Sequence, residues 1–319
     1  MQSNTNKTSK WKQVVILGVL VLVGIITVAV KLETKGSVLA QGSQMTFPSP
    51  AEAGAAIAQA AKAGDETELG KILGVDTKTL LSTGAPETDK AAMQTFAAKY
   101  EKMNRWVEMS DGSRVLYIGA DNLAFPVPLA KNSSGQWYFD GVAGAEEIRV
   151  REIGRNELLA IDASSAVANA EAIYFSTVGS STQFAQRIIS TAGKQDGLYW
   201  PASEAQGPSP LGDISGFPQS SLGSNPLQEP FVIDGYKLRI LTAQGDAAPG
   251  GAQSYIADGK MKGGFAVLAT PVKYGETGIV TFVTGSDGTV YERDLGPDTE
   301  KIAASIKEFN PTGGWSPVE

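Results

Sequence analysis

LLAIDASSAVANAEAIYF, residues 158–175, is the centre of a proline-free run from Ala145 to Phe175. Within it Ile148, Ile153, Leu158, Ile161, Val167, Ala170 and Tyr174 recur at near-helical intervals. Apolar residues three and four apart form one face of a helix, so the run predicts a long helix, with Gly154 as the place where it would break in two. Strand patterns lie on both sides of it. RWVEM, SRVLYIG, LAFPVPLA and QWYFDGV precede it, with turns at Asp111-Gly112 and Ser133-Ser134-Gly135. YKLRILTA, GGFAVLATP, TGIVTFVTG and TVYERDLG follow it, the last two joined by a Ser286-Asp287-Gly288 turn. Pro126 and Pro128 share one side of their strand and demand an edge or a bulge, because proline cannot donate to a ladder. The pattern predicts an α+β protein with a first unit over residues 46–143 and a second over residues 144–319.

Helix signals complete the outline. In FPSPAEAGAAIAQAAKAGD, Ser49 is placed to cap a helix, Pro50 suits its first turn, Glu52 sits at its positive end and Gly64 stops it. Further helices are predicted over Glu66–Leu73, Lys78–Leu81 and Thr88–Met103, the last with Ala92, Phe96 and Tyr100 on one face. QFAQRIIS reads as a short helix, and residues 202–230 as a long loop rich in proline, glycine and serine. Asp298 is the expected cap of a last helix over Thr299–Phe309, before a tail that carries Trp315.

Residues 1–45 have a different character. Lys7, Lys10 and Lys12 precede VVILGVLVLVGIITVAV, an uncharged run over residues 14–30. A helix of that length nearly spans a hydrocarbon core, and basic residues before it favour an inside amino terminus, so the remainder would be exported. Cleavage after Ala40, in Val38-Leu39-Ala40, is the competing outcome. Both place the bulk of the chain in the cell envelope: anchored in the inner membrane and facing the periplasm, or released there.

Composition limits the chemistry. The chain has neither cysteine nor histidine, so disulfides, thiolate or imidazole metal ligands, and Ser-His or Cys-His pairs are all ruled out. A net charge of −7 with scattered basic residues lacks the footprint that holds a phosphate backbone, so no nucleic-acid partner is expected. Carboxylates are abundant, which leaves a carboxylate-dependent hydrolase of envelope glycans as an alternative, although no catalytic pair is defined by spacing.

Two groups of candidate residues stand out. GKQDGLYWP, residues 193–201, sets Tyr199 and Trp200 beside Lys194 and Asp196: either an aromatic platform for a peptide or glycan, or a turn whose aromatics plug a core. Arg155, in IGRNE, is a candidate contact for an anionic group or, with Glu157, a tie between the two units. Asp287, Glu292 and Asp294, with Asp298 nearby, offer hard oxygen ligands for calcium, or simply a solvated acidic surface. GDAAPGG, residues 245–251, is glycine-rich but lacks the lysine of a phosphate loop, and reads as a connection.

FPSPAEA, IGRNELLAI, STAGKQDGLYWP, YKLRILTAQGDAAPGGA, GGFAVLATPVKYGETGIVTF and DGTVYERDLGP together resemble the bacterial family called domain of unknown function 2950, over nearly everything after Thr46. The resemblance implies an exported envelope protein and no particular activity. The second unit, a long helix and then antiparallel strands, also looks like the globular head of type II secretion pseudopilins, heads that bind calcium. Its apolar segment lies more than a hundred residues from the pilin-like helix, unlike in a pseudopilin. The first unit is similar in pattern to nuclear-transport-factor-2-like or cystatin-like cones. The expected function is therefore a non-catalytic binding or assembly module whose partner is an envelope protein, peptide or glycan. An accessory of secretion or pilus assembly is a further alternative.

Overall fold

The computed structural model describes residues 44–74, 82, 85–178, 182–201, 203, 207–212 and 231–318. The apolar run at 14–30, the cleavage point after Ala40, the predicted helix at 78–81 and most of the 202–230 loop lie outside these residues. Among the described residues no helix is long and apolar enough to cross a membrane. What is described is α+β: helices against antiparallel sheets, with two hydrophobic cores.

The first core is built by α1 (Pro50–Ala63), α2 (Glu66–Leu73), α3 (Pro86–Lys102) and a small sheet. Ser49 accepts a hydrogen bond from the Glu52 N–H, and Gly64 ends α1 in the left-handed region at φ 67°. The sheet runs β1 (Asn104–Glu108), β2 (Arg114–Ile118), β4 (Leu129–Lys131), β5 (Trp137–Phe139), with β3 (Leu123–Ala124) also on β2. The two prolines split the predicted LAFPVPLA strand into β3 and β4, for the reason given above: neither can donate. Val127 between them is fully buried, and it joins Phe47, Ile57, Leu73, Leu129 and Phe139 in the core.

A single helix, α4 (Gly141–Thr177), leads from this core to the next. It is continuous through Gly154, contrary to the expected break. A lone helical glycine costs about 1 kcal/mol, which tertiary packing on both sides overrides. Its buried stripe is Ile153, Asn156, Ala160, Ala163, Val167, Ala170 and Tyr174, alternating steps of three and four. The three alanines of this stripe let the helix lie close to the second sheet. Leu158, expected in the core, is 44% exposed instead.

That sheet has the order β15 (Ser316–Pro317), β14 (Val290–Asp294), β13 (Val280–Gly285), β12 (Ala266–Pro271), β7 (Tyr236–Leu241), β6 (Phe231–Ile233), all antiparallel. Asp234 and Gly235, both at positive φ, make the two-residue turn between β6 and β7. Short pairs β8 (Ala243–Gln244) with β9 (Gln253–Ser254), and β10 (Ile256–Ala257) with β11 (Lys260–Met261), fill the connection from β7 to β12. The last helix, α5 (Thr299–Ser305), is shorter than the sequence predicts. Asp298 precedes it without a side-chain capping bond, and the Thr299 hydroxyl donates to the Gly296 carbonyl instead.

QFAQRIIS is not helical. The backbone groups a helix would need are taken by distant partners: Phe184 N–H donates to the Met261 carbonyl, Ala185 N–H to the Glu171 carboxylate, and the Ile188 carbonyl accepts from both Leu198 and Tyr199. Ala185, Ile188 and Ile189 are thereby buried in the second core.

Candidate functional site

The structure turns the GKQDGLYWP stretch into a packed corner. Asp196 folds back to accept from both the N–H and the hydroxyl of Thr191, at 2.7 and 2.8 Å. Burial pushes this carboxyl up, but the two Thr191 bonds together with the charge of Arg187 outweigh it and hold Asp196 below its ordinary value. Leu198 is fully buried, and Trp200, 4% exposed, donates its indole N–H to the Gly207 carbonyl at 3.2 Å. The Trp200 ring thus faces the core and offers no surface for stacking. Tyr199 is half-buried against the same core, and Lys194 is exposed.

Arg155 is elsewhere, on the solvent side of α4, where it opposes the burial that raises the Asp234 carboxyl. Its neighbours do the fastening. Asn156 donates to the Thr277 carbonyl, and Glu157 accepts from the N–H groups of Ile279 and Val280 at 2.9 and 3.1 Å. These contacts tie α4 to the six-stranded sheet. Burial first, then the charges of Glu292 and Asp294, raise the Glu157 carboxyl above its usual range.

The acidic residues of the β13–β14 hairpin are used locally. Asp287 accepts from the N–H and hydroxyl of Thr289, and Asp294 from the Gly296 N–H and the Tyr274 hydroxyl. Asp287 lies in the turn before β14 and Asp294 ends the strand, so Asp287, Glu292 and Asp294 do not converge. Among the described residues no group of three or more acidic side chains is placed to hold a metal ion.

A concave site forms at the far end of α5. It is a groove of about 300 Å³ lined by Val283, Ser305, Ile306, Lys307, Glu308, Asn310 and Trp315. Arg239, reaching from β7, donates to the Ala303 and Ile306 carbonyls and so closes the carboxyl end of the helix. Phe309 is the anchor of the next segment: it is buried, its N–H donates to the Ala243 carbonyl, and its carbonyl accepts from Gly245. That pinning sets Glu308 and Asn310 on the groove. The GDAAPGG loop backs them. Gln244 donates to the Pro249 and Gly251 carbonyls and accepts from the Tyr255 hydroxyl, holding the loop in shape. The Ala247 N–H donates to Asn310 Oδ1 at 3.0 Å. A Cβ on Gly245 would come within 2.5–2.8 Å of the Asn310 and Glu308 side chains, so a larger residue there would displace them from the groove. Trp315 forms a further wall, half-buried against the second core and fixed by the pairing of β15 with β14.

None of the groove residues stands among the candidate site residues of the sequence, which places Val283 in a strand, Ser305 to Glu308 in the last helix and Trp315 in the tail. They come from β13, the end of α5 and the carboxyl-terminal segment, and are of ordinary types. The one available signal was the tryptophan between Gly313-Gly314 and Pro317, an aromatic held in a tail of turn residues.

No curated protein and no solved structure matches the chain, so the pilin-head and cone likenesses have no counterpart in these comparisons. A family model described as Protein of unknown function (DUF2950) matches residues 44–318, most of the chain, and the chain belongs to that family.

Proposed function

We propose that this is an exported protein of the cell envelope that binds a ligand without transforming it, through the groove beside Trp315. The groove is the observation that carries the reading. It joins one aromatic wall, an apolar floor from Val283 and Ile306, and a few hydrogen-bonding side chains, which is the composition of a small-ligand site. Export is supported by the apolar run at 14–30 behind three lysines. The anchor is retained in the inner membrane with the bulk in the periplasm, or the chain is released by cleavage after Ala40. The partner is an envelope protein, peptide or glycan, and the reading calls for no cofactor.

A glycan hydrolase is less well supported. Such enzymes use two carboxylates across the scissile bond, whereas the groove is lined by one, Glu308. The most buried carboxyl, Glu171, is sealed in the second core. The finer architecture, a cone-like first unit and a pilin-head-like second unit, belongs to the same proposal, with the helix-on-sheet order of α4 and β6–β14 in its favour.

The test is co-sedimentation of the detergent-solubilised full-length chain with detergent-washed envelope material. The wild-type chain should sediment, and Trp315→Ala should stay in the supernatant with an unchanged circular dichroism spectrum. Equal behaviour of the two chains would remove the groove as the binding surface.

A further inference from the structure

We propose that the ligand of this groove is a neutral saccharide, stacked by one ring on the Trp315 indole. This rests on the groove being the binding surface and adds the chemistry of what it holds. The Trp315 wall is held in place: the tail is tied before it by the Ala247 N–H to Asn310 Oδ1 bond of 3.0 Å and after it by a Val318 N–H to Val290 carbonyl bond of 2.9 Å, and the ring itself packs against the second core. A fixed aromatic face costs little entropy to use, and a sugar ring presents an apolar C–H face to match it.

The polar lining fits the rim of such a ring. Ser305 spends its hydroxyl proton on the Ile302 carbonyl at 2.6 Å, so it offers an acceptor. Asn310 spends its Oδ1 on Ala247, so it offers its amide donors. With Lys307 as donor and Glu308 as acceptor, the groove presents two groups of each kind. Sugar hydroxyls both donate and accept, and so can satisfy all four.

Other ligand classes fit less well. A phosphate or other anion calls for converging cations, and here the one lysine sits next to a carboxylate. A peptide adding itself as a strand needs a long free edge, yet the edge strand at the groove, β15, is two residues long and one of them is Pro317, which cannot donate. An apolar ligand would strip water from four polar side chains without replacing their bonds.

The experiment follows the Trp315 indole N–H resonance of the full-length chain by NMR, in a zwitterionic detergent free of sugar. The probes are a β-1,4-linked N-acetylglucosamine trimer and cellotriose, against triglycine and inorganic phosphate. One of the saccharides should shift the resonance saturably. Asn310→Asp keeps the acceptor for Ala247 and removes the amide donors, so it should weaken that binding about tenfold while leaving the melting temperature unchanged. This variant carries the test even where Trp315→Ala disturbs the tail. A saturable shift with triglycine or phosphate alone would overturn the saccharide and leave the groove as a binding site. No shift with any probe would overturn both. Saccharide binding unaffected by Asn310→Asp and by Trp315→Ala would place the sugar elsewhere and overturn the proposal.

Discussion

Glu171 is the residue whose environment departs furthest from what a carboxyl prefers. It is 0% exposed on the sheet-facing side of α4, and one of its oxygens accepts from the Ala185 N–H at 2.9 Å while the other has no partner among the described residues. Burial pushes its pKa up to about 8, against the opposing effect of the Ala185 bond. Between pH 5 and 8 the folded chain therefore holds a proton that the unfolded chain releases, and stability falls as pH rises. The lowered carboxyls, Asp196 and Glu146 among them, act in the opposite sense and in a more acidic range. Urea unfolding should show a loss on the order of 3–5 kcal/mol from pH 5 to pH 8, and Glu171→Gln should flatten the slope. An unchanged slope in the variant would mean that another group titrates. Trp200 is a simpler case: its ring is in the core, so Trp200→Ala should lower stability by roughly 3–5 kcal/mol, read as a shift of the urea midpoint.

At the level of elements, α4 shows what a pattern can and cannot tell. Gly154 looked like a break, but the helix passes through it, and a Cβ there would meet nothing within 4 Å. Gly154→Ala should thus stabilise the chain by roughly 0.5–1 kcal/mol, measured by thermal or urea unfolding. Gly144, on the same helix, is the contrast: a Cβ would come within 2.7–3.0 Å of Val127, so its alanine variant should destabilise. Long periodic elements were legible in the sequence. α1, α2, β7, β12, β13 and β14 fall where their spacing and caps put them, because local chemistry and burial agree there. QFAQRIIS was not legible, since its backbone bonds go to Glu171, Met261 and residues 198–199. The groove was hidden for the same reason. Its walls come from separate stretches, and its shape depends on Phe309 and Gln244, which carry no motif, and on Gly245, whose GDAAPGG stretch reads only as a connection. In GKQDGLYWP the sequence left two readings of its aromatics open, and only the burial of Leu198 and Trp200 distinguishes them.

For the molecule as a whole, the continuity of α4 is the feature with mechanical consequences. Ile148, near its start, packs on the first core, and Ala160 to Tyr174 build the second, so one rigid rod of 37 residues belongs to both. Gly154 falls between those two sets of contacts. A proline there would remove the N–H bond to the preceding turn and clash with its carbonyl, at a cost of about 3 kcal/mol or more. The two cores would keep their own side-chain contacts, and only the rod between them would fail. Unfolding of the wild-type chain should then follow one transition when far-ultraviolet circular dichroism and tryptophan fluorescence are compared. Gly154→Pro should split it, with Trp106 and Trp137 reporting on the first core and Trp200 on the second. If the proline variant instead unfolds in one transition at a lower midpoint, contacts other than the helix couple the two cores, such as the bond from Arg149 to the Gly275 carbonyl.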